Sequence, residues 1–495
     1  ISELLRYAIK GGTTTIITEV CEIVLPLGYQ GIIQILRSAK NQPIKVLITV
    51  PPMVTISPVA KEHALTIDQL RKLLRRKEVI GLGESYWASV VDGDQRLLDL
   101  MAETIKAGKK LEGHSAGARG NKLQAYISAG ISSCHEPITA EEVMERLRLG
   151  LCVLIREGEI RRELEAISKI KDENIDFRRL ALATDGLGPW QLTSDGYMEF
   201  VVQKAIDLGF DPITAIQMAT INPAQHFAID DFIGGIAPGK YADIVIIPNL
   251  RTIQPEYVIS NGRVVAKNGQ LVILPRRHNY SKSVQNNICL PRDFVANDFA
   301  IPVESSRHQV KVRVIDQVTD LVTQEAIIDI PVVNGQLQPD ASKDILKVAA
   351  IESKYQPGKT FVGLIRGIGL NHGAIATSTA WEFSGIIAVG GSEADIALAV
   401  NRIRELQGGI VICAGSKILA EIAFPIGGLI SLEPMESIAH KLYAIQQAAA
   451  ELGCPLADIR TTLATLTTPA IPFIRICESG LANLRQNRFV DLIVE

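Results

Sequence analysis

Short runs of apolar, often β-branched residues alternate with helical stretches over about the first 225 residues of the chain. This alternation is typical of βα units arranged around a parallel sheet. The helices carry start signals of their own; Thr139 and Glu142, three residues apart, predict a capping box ahead of an apolar run. Seven runs are predicted as strands, at residues 13–18, 45–50, 79–84, 110–114, 130–135, 151–156 and 180–185.

Seven βα units in tandem predict a (β/α)8 barrel that is short of one strand, because an open barrel edge would leave backbone groups unpaired. On this interpretation we expect barrel strand one to lie upstream of Ile1. An open doubly wound sheet stays as the alternative, since seven strands also suit that fold. The predicted fold class is therefore α/β, with residues 1–225 forming a TIM-type barrel.

The pattern changes after residue 225. Short strands with tight turns follow over residues 234–275, where Asn261-Gly262 is a strong hairpin signal. We predict a small β domain and a polar linker over residues 226–287, and a C-terminal α/β domain over residues 288–495. In the last domain, strands are expected near 310–314, 361–365, 385–389 and 409–413, with helices near 393–406 and 434–452.

Composition narrows the class of protein. Of 495 residues, 47% are hydrophobic and 21% are charged, with a net charge of -3, which argues against disorder and against a nucleic-acid partner. No apolar run reaches the roughly 18 residues that a bilayer span needs. The seven cysteines are widely spread and form no C-x-x-C pair, as in reduced intracellular proteins. We therefore expect a cytoplasmic protein without a membrane partner.

Four polar residues fall at the C-terminal ends of predicted strands, where (β/α)8 barrels place their catalytic groups. They are Glu84, His114, His135 and Asp185. A lone strand-end histidine is more often structural, and a strand-end aspartate commonly caps the next helix. Together, two imidazoles and two carboxylates match the donor set of a hydrolytic centre that holds Zn, Mn or Fe. Such a centre supplies hydroxide at neutral pH, and Asp185 would take up the proton.

Motifs spread over nearly the whole chain extend this hypothesis. They include Gly81-Leu-Gly-Glu84, Glu112-Gly-His114-Ser-Ala-Gly, Ala129-Gly-Ile-Ser-Ser-Cys-His135-Glu136, Ile236-Ala-Pro-Gly-Lys-Tyr-Ala-Asp-Ile-Val245 and Ala399-Val-Asn-Arg-Ile-Arg-Glu-Leu-Gln-Gly-Gly-Ile. In these segments the chain resembles the amidohydrolase superfamily and, within it, the adenine deaminase family, of which it looks like a divergent member.

The resemblance implies a metal-dependent hydrolase that converts adenine and water to hypoxanthine and ammonia, by attack of a metal-activated hydroxide at C6 of the purine. It implies a divalent metal cofactor, two Mn or Fe ions, with Zn as an alternative, and a homo-oligomer such as a dimer. Asp185 and Glu136 would be the catalytic groups. The metal ligands would be Glu84, His114, His135 and Asp185.

Departures from the family pattern leave alternatives open. The family's strand-one His-x-His pair would lie upstream of Ile1, and Cys21 stands where a histidine is expected after strand two. The residues expected to contact a small purine-like substrate are Trp87, Arg156 and Leu187. Because Trp87 and Leu187 replace polar groups, two alternatives remain: hydrolysis of another cyclic amide or amidine, and a non-catalytic scaffold derived from an adenine deaminase.

Overall fold

Seven parallel strands form the first part of the fold in a computed structural model that describes residues 1–303 and 308–494. They are β1 (Thr15–Glu19), β2 (Lys45–Val50), β3 (Val79–Tyr86), β4 (Lys110–His114), β5 (Ser133–Cys134), β6 (Cys152–Arg156) and β7 (Leu180–Ala183). Each predicted strand is confirmed, although β5 is much shorter than its prediction.

The order of these strands distinguishes the two predicted architectures. Strands β1 to β4 pair in sequence order, as do β5 to β7, and the Ser132 amide donates to the Leu111 carbonyl at 3.0 Å where the two groups meet. A doubly wound sheet reverses its strand order at a switch point, whereas a barrel winds in one direction. The unreversed order favours the barrel, here seen as a partial barrel, over the doubly wound alternative.

Helices connect the strands and bury one apolar face each. Thr139 caps its helix, because its side chain accepts the Glu142 N–H, but the Glu142 carboxylate accepts the N–H of Ile138, the residue before the cap, so the predicted capping box is formed only in its first half. The helices are α1 (Ser2–Lys10), α2 (Cys21–Ala39), α3 (Pro58–Glu62), α4 (Ile67–Leu74), α5 (Trp87–Val91), α6 (Gln95–Lys106), α7 (Gly120–Ser128), α8 (Ala140–Arg148), α9 (Leu164–Ile167), α10 (Pro189–Ser194), α11 (Met198–Asp207), α12 (Pro212–Met218) and α13 (Ile221–His226).

A small antiparallel sheet follows. It comprises β8 (Ile244–Ile246), β9 (Tyr257–Ser260), β10 (Arg263–Lys267) and β11 (Gln270–Leu271). Asn261 and Gly262 have φ angles of 51° and 75°, as a two-residue type I′ hairpin requires, so the predicted turn is confirmed. Asn268-Gly269 forms a second such turn, with φ angles of 46° and 72°, and carries the same sequence signal.

The C-terminal part is rich in strands. Its strands are β12 (Ile301–Pro302), β13 (Gln309–Gln317), β14 (Thr323–Val333), β15 (Gln336–Leu337), β16 (Leu346–Glu352), β17 (Thr360–Arg366), β18 (Ala374–Thr377), β19 (Gly385–Gly390), β20 (Gly409–Ala414), β21 (Lys417–Ala423), β22 (Ile474–Cys477), β23 (Gly480–Asn483), β24 (Arg488–Val490) and β25 (Ile493–Val494). Its helices are α14 (Glu393–Leu406), α15 (Met435–Glu451) and α16 (Ile459–Thr465).

An 11-stranded, mainly antiparallel sheet dominates this part. The four predicted strands and two predicted helices are confirmed, but other strands such as β16 and β18 had no sequence signal. Both are buried at every residue and show no alternation of apolar and polar positions. The equally buried β19 has a run of Ile and Val that indicates a strand, whereas β18 is half alanine and Lys347 interrupts β16.

Contacts divide the chain into two compact units. One comprises Ile1–Val20, Ile32–Pro52 and Leu65–Asn279, and the other comprises Cys21–Gly31, Met53–Ala64 and Tyr280–Glu495. The three predicted domain ranges stay a prediction. In the part of the chain that the structure describes, no helix has the length and apolar character needed to cross a bilayer.

Candidate metal centre

Three of the predicted ligands converge at the C-terminal ends of adjacent strands. Glu84 lies on β3, His114 ends β4 and His135 follows β5. His114 Nδ1 lies 3.2 Å from Glu84 Oε2, and His135 Nε2 lies 3.2 Å from Glu84 Oε1. One donor atom from each residue lies within 4.8 Å of the other two. The parallel register therefore brings an imidazole–carboxylate–imidazole set to one point.

Glu136 joins this set from the residue after His135. Its Oε1 lies 3.3 Å from His135 Nε2 and 3.6 Å from His114 Nδ1, and its side chain is nearly buried. The thiol of Cys134, the residue before His135, contacts Ser115 Oγ at 2.8 Å instead of joining the histidines. Strand alternation predicts that these two neighbouring side chains point to opposite faces. Glu136 is therefore a direct neighbour of both predicted histidine ligands.

Arg156 connects Glu136 to Asp185. The guanidinium is 3% exposed, and its Nη1 donates to Glu136 Oε1 at 2.5 Å and to Asp185 Oδ2 at 3.1 Å. Asp185, just beyond β7, has a side chain that is 32% exposed. It lies outside the group of three converging donors, so the structure places it beside the cluster through Arg156.

At Glu84 and His135, opposite charges outweigh the effect of burial on the pKa. Burial alone would raise the pKa of Glu84, but His135 and His114 lower it. Burial alone would lower the pKa of His135, but Glu84 and Glu136 hold it well above its usual range. Four carboxylates, those of Glu84, Glu136, Asp185 and Glu163, lie around the Arg156 guanidinium and the two imidazoles, and Arg161 also contacts Glu163. When the imidazoles are neutral, as they must be to bind a metal, the carboxylates outnumber the guanidinium groups.

Two residues that sequence reasoning missed hold the ligands in place. The Glu19 carboxylate accepts the backbone N–H of Glu84 at 2.8 Å. The hydroxyl of the fully buried Tyr126 accepts the His114 N–H at 2.8 Å and donates to the Ser85 carbonyl. Glu19 ends β1, so a search for polar residues at the C-terminal ends of strands would have found it. Tyr126 lies on α7, and no local sequence pattern indicates its role.

The predicted substrate-contacting residues lie in different settings. The Trp87 indole N–H donates to the Ala116 carbonyl at 2.8 Å, and Lys122 Nζ lies 5.3 Å from the centre of its ring. Leu187 is half-buried, two residues beyond Asp185. The ring of Tyr86 also lies next to the cluster, with its centroid 5.0 Å from that of His114 in an edge-on arrangement. Tyr86 shares the inward face of β3 with Glu84 because side chains alternate along a strand.

Comparison with known proteins identifies the family. The profile of the "Amidohydrolase family" matches residues 1–265, and that of the "Adenine deaminase C-terminal domain" matches residues 320–488. An adenine deaminase of Moorella thermoacetica is 34% identical over 499 residues, covering 100% of this chain and 84% of that protein. One of Dehalococcoides mccartyi is 35% identical over 493 residues, covering 99% of this chain and 85% of that protein.

The chain belongs to the adenine deaminase family. Among solved structures, it is similar to a β-aspartyl dipeptidase from Fervidobacterium islandicum AW-1, with a TM-score of 0.41 and 17% identity over 56% of this chain and 79% of that chain. It is also similar to an N-acetyl-D-glucosamine-6-phosphate deacetylase from Mycobacterium smegmatis, with a TM-score of 0.40 and 18% identity over 52% of this chain and 78% of that chain.

Membership of this family implies a divalent metal, and the residues present fit one. Imidazole nitrogen and carboxylate oxygen are the donors that Zn, Mn and Fe prefer in hydrolases. Glu84, His114 and His135 offer these atoms within 4.8 Å of one another. With both imidazoles neutral, the carboxylates around them leave an excess of negative charge that a divalent cation would offset.

Proposed function

We propose that this chain is a metal-dependent hydrolase that deaminates adenine to hypoxanthine and ammonia. The observation that carries the proposal is the convergence of Glu84, His114 and His135 in one cluster. It occurs in a chain that aligns along 99% or more of its length with proteins named adenine deaminase. In this reaction water attacks C6 of the purine and the amine on that carbon leaves as ammonia. The site therefore needs an activated water, a group that carries a proton from the water to the amine, and groups that hold the ring.

The metal is the first part of the proposal. Glu84, His114 and His135 would hold a divalent ion, with Asp185 as a further ligand, and Mn or Fe would be the native metal in a pair of ions. When bound, the metal would act as a Lewis acid and activate water for attack on C6. The homo-oligomeric state and the cytoplasmic location expected from the sequence also stay predictions.

Asp185 is the proposed proton carrier. Its carboxylate lies beside the cluster and is about as exposed as that of Glu84, and a side chain that is 32% exposed can meet a substrate. Arg156 donates to Oδ2, which leaves Oδ1 as the atom that would take a proton from water and deliver it to the departing amine. The fixed contact orients the carboxylate without covering it.

The purine ring would lie against Glu136 and the half-buried side chains around the cluster. Each described contact of the Glu136 carboxylate uses Oε1, so Oε2 is the atom proposed to face a ring nitrogen. Trp87 and Leu187 remain proposed substrate contacts. Arg156 is proposed to orient Glu136 and Asp185 and not to contact the substrate, because its donors are directed at protein carboxylates.

Metal analysis and an ammonia assay on the full-length chain test this proposal. We expect one to two equivalents of Mn or Fe and ammonia release from adenine. Glu84→Gln and His135→Asn should lose metal and at least about 100-fold of the activity, because each removes a ligand. The exposed His372 provides the matched control, and His372→Asn should retain both metal and activity.

Cyclic amides and amidines are assayed beside adenine at the same metal loading. If one of these compounds is hydrolysed faster than adenine, that compound and not adenine is the substrate, and the proposed metal-dependent hydrolysis still holds. Fully metal-loaded chain that releases no ammonia from adenine would overturn the proposal.

A further inference from the structure

We infer that Glu163 is a positioning residue that fixes the Arg156 guanidinium, through which Asp185 and Glu136 are held in place. The inference rests on the proposed function, in which Asp185 carries protons. Glu163 lies at the start of α9 and its side chain is 9% exposed. Its described contacts are with arginines, so it acts on the cluster only through Arg156.

The contact between Glu163 and Arg156 is bidentate. Arg156 Nε lies 3.1 Å from Glu163 Oε2, and Arg156 Nη2 lies 3.2 Å from Glu163 Oε1. Two parallel N–H···O bonds to a carboxylate define the plane and the rotation of a guanidinium, which a single contact does not. Glu163 therefore determines where the remaining nitrogen, Nη1, points.

Nη1 points at the two carboxylates that the proposed reaction uses. It donates to Glu136 Oε1 at 2.5 Å and to Asp185 Oδ2 at 3.1 Å. Four of the five N–H donors of Arg156 are thereby directed at carboxylates, and the side chain is 3% exposed. A substrate thus has little access to this guanidinium, and its geometry suits support of Asp185 better than contact with a purine.

The backbone reinforces the same arrangement. The Glu163 N–H donates to the Arg156 carbonyl at 3.1 Å, which closes the loop between them. Two amides of this loop, those of Glu157 and Glu159, donate at 2.9 Å to the carbonyls of Ala183 and Gly186, on either side of Asp185. Asp185 itself has a φ of 55°, a left-handed conformation that the surroundings must maintain.

Steady-state kinetics of metal-loaded, full-length variants test the inference. In Glu163→Gln, only one of the two atoms that face the guanidinium can accept, and the amide nitrogen at the other position would face an N–H donor. We expect kcat for adenine to fall roughly 10- to 100-fold, with KM and bound metal little changed, because a group that supports the reacting residues is lost. Glu163→Asp keeps a carboxylate and should restore part of kcat. Glu165, exposed and two residues away, gives the control, and Glu165→Gln should match wild type.

Wild-type kcat in Glu163→Gln would overturn the inference. A joint loss of metal and activity would also overturn it, because it would place Glu163 in the metal scaffold. If Glu163→Gln does not fold, Glu163→Asp decides: a lowered kcat at an unchanged KM supports the role, and an unchanged kcat contradicts it.

If the proposed function itself is wrong, the metal-loaded wild type releases no ammonia from adenine, so kcat cannot be compared. A crystal structure of Glu163→Gln, or of Glu163→Asp if the first does not fold, then tests the positioning alone. Displacement of Arg156 Nη1 from Asp185 Oδ2 would support it, and an undisturbed contact near 3.1 Å would contradict it.

Discussion

The Glu19 carboxylate accepts a hydrogen bond from the backbone N–H of Glu84 at 2.8 Å, across 65 residues of sequence. Gly83 makes the approach possible, since a Cβ atom there would fall 2.2 to 2.4 Å from the carboxylate atoms of Glu19. The strand that carries the central carboxylate of the cluster is thus fixed by a residue at the end of β1.

Removal of this acceptor should weaken metal binding. In Glu19→Ala the Glu84 amide loses its partner, and we expect metal affinity and ammonia release to fall by roughly 10-fold or more, as for other groups that orient a ligand. Glu19→Gln keeps an acceptor oxygen of the same reach and should remain close to wild type. Metal titration with a competing chelator measures the difference, and equal affinities of Glu19→Ala and wild type would contradict the expectation.

Tyr126 gives a prediction about stability. Its hydroxyl bridges the His114 amide and the Ser85 carbonyl within a fully buried site, so Tyr126→Phe leaves both backbone groups without that partner. A buried polar group left unpaired costs about 1–3 kcal/mol. Urea unfolding should show a loss of this size in Tyr126→Phe, and no comparable loss in Tyr443→Phe, where the side chain is exposed. Equal unfolding free energies for the two variants would argue against the bridge.

Gly158 should be intolerant of a side chain. A Cβ atom there would lie 1.9 Å from the Thr184 carbonyl oxygen and 2.6 Å from that of Gly186, and backbone atoms have little freedom to move. Gly158→Ala should push the loop of Arg156 away from Asp185, lower kcat and destabilise the fold by about 1–3 kcal/mol. At Gly235 the nearest atom would be 3.8 Å away, so Gly235→Ala is the matched control in the same assays. Wild-type kcat in Gly158→Ala would show that the close approach is dispensable.

His226 forms an ion pair with Glu112, which lies on the same strand as His114. Its Nε2 lies 2.8 Å from Glu112 Oε1, while Ser133 Oγ donates to the other oxygen of Glu112 at 2.7 Å. Burial alone would lower the pKa of His226, but Glu112 and a hydrogen bond with the Cys152 thiol raise it to about 10. The imidazolium therefore joins α13 to β4.

This pair predicts a pH-dependent stability. Below about pH 6.5 the histidine is protonated in both the folded and the unfolded chain, and its stabilising contribution is complete. As pH rises from there to about 10, the unfolded chain loses the proton first, so the contribution decreases and is lost. The difference in unfolding free energy between wild type and His226→Gln should thus shrink from about 1.5–3 kcal/mol near pH 6 towards zero near pH 10. A difference independent of pH would contradict the assignment.

The sequence determined the strands of the barrel and the residues at their ends. Apolar runs, turn residues and helix caps are local signals, so each of the seven strands could be located and Glu84, His114, His135 and Asp185 placed at one edge of the sheet. In the C-terminal part the same signals located some strands and missed others: β16 and β18 show no alternation, and alanines and Lys347 break the β-branched run that indicated the equally buried β19.

Only the tertiary structure decided which side chains those residues meet. Sequence alone suggested Arg156 as a substrate contact, whereas the fold surrounds it with Glu136, Asp185 and Glu163. It also brings Glu19 to Glu84 and Tyr126 to His114. A hydrogen bond or ion pair depends on distances of about 3 Å between atoms, and those distances arise when strands far apart in sequence become neighbours. Local periodicity can place a charge on the correct edge of a sheet, but the packing of segments far apart in sequence decides which partner orients it.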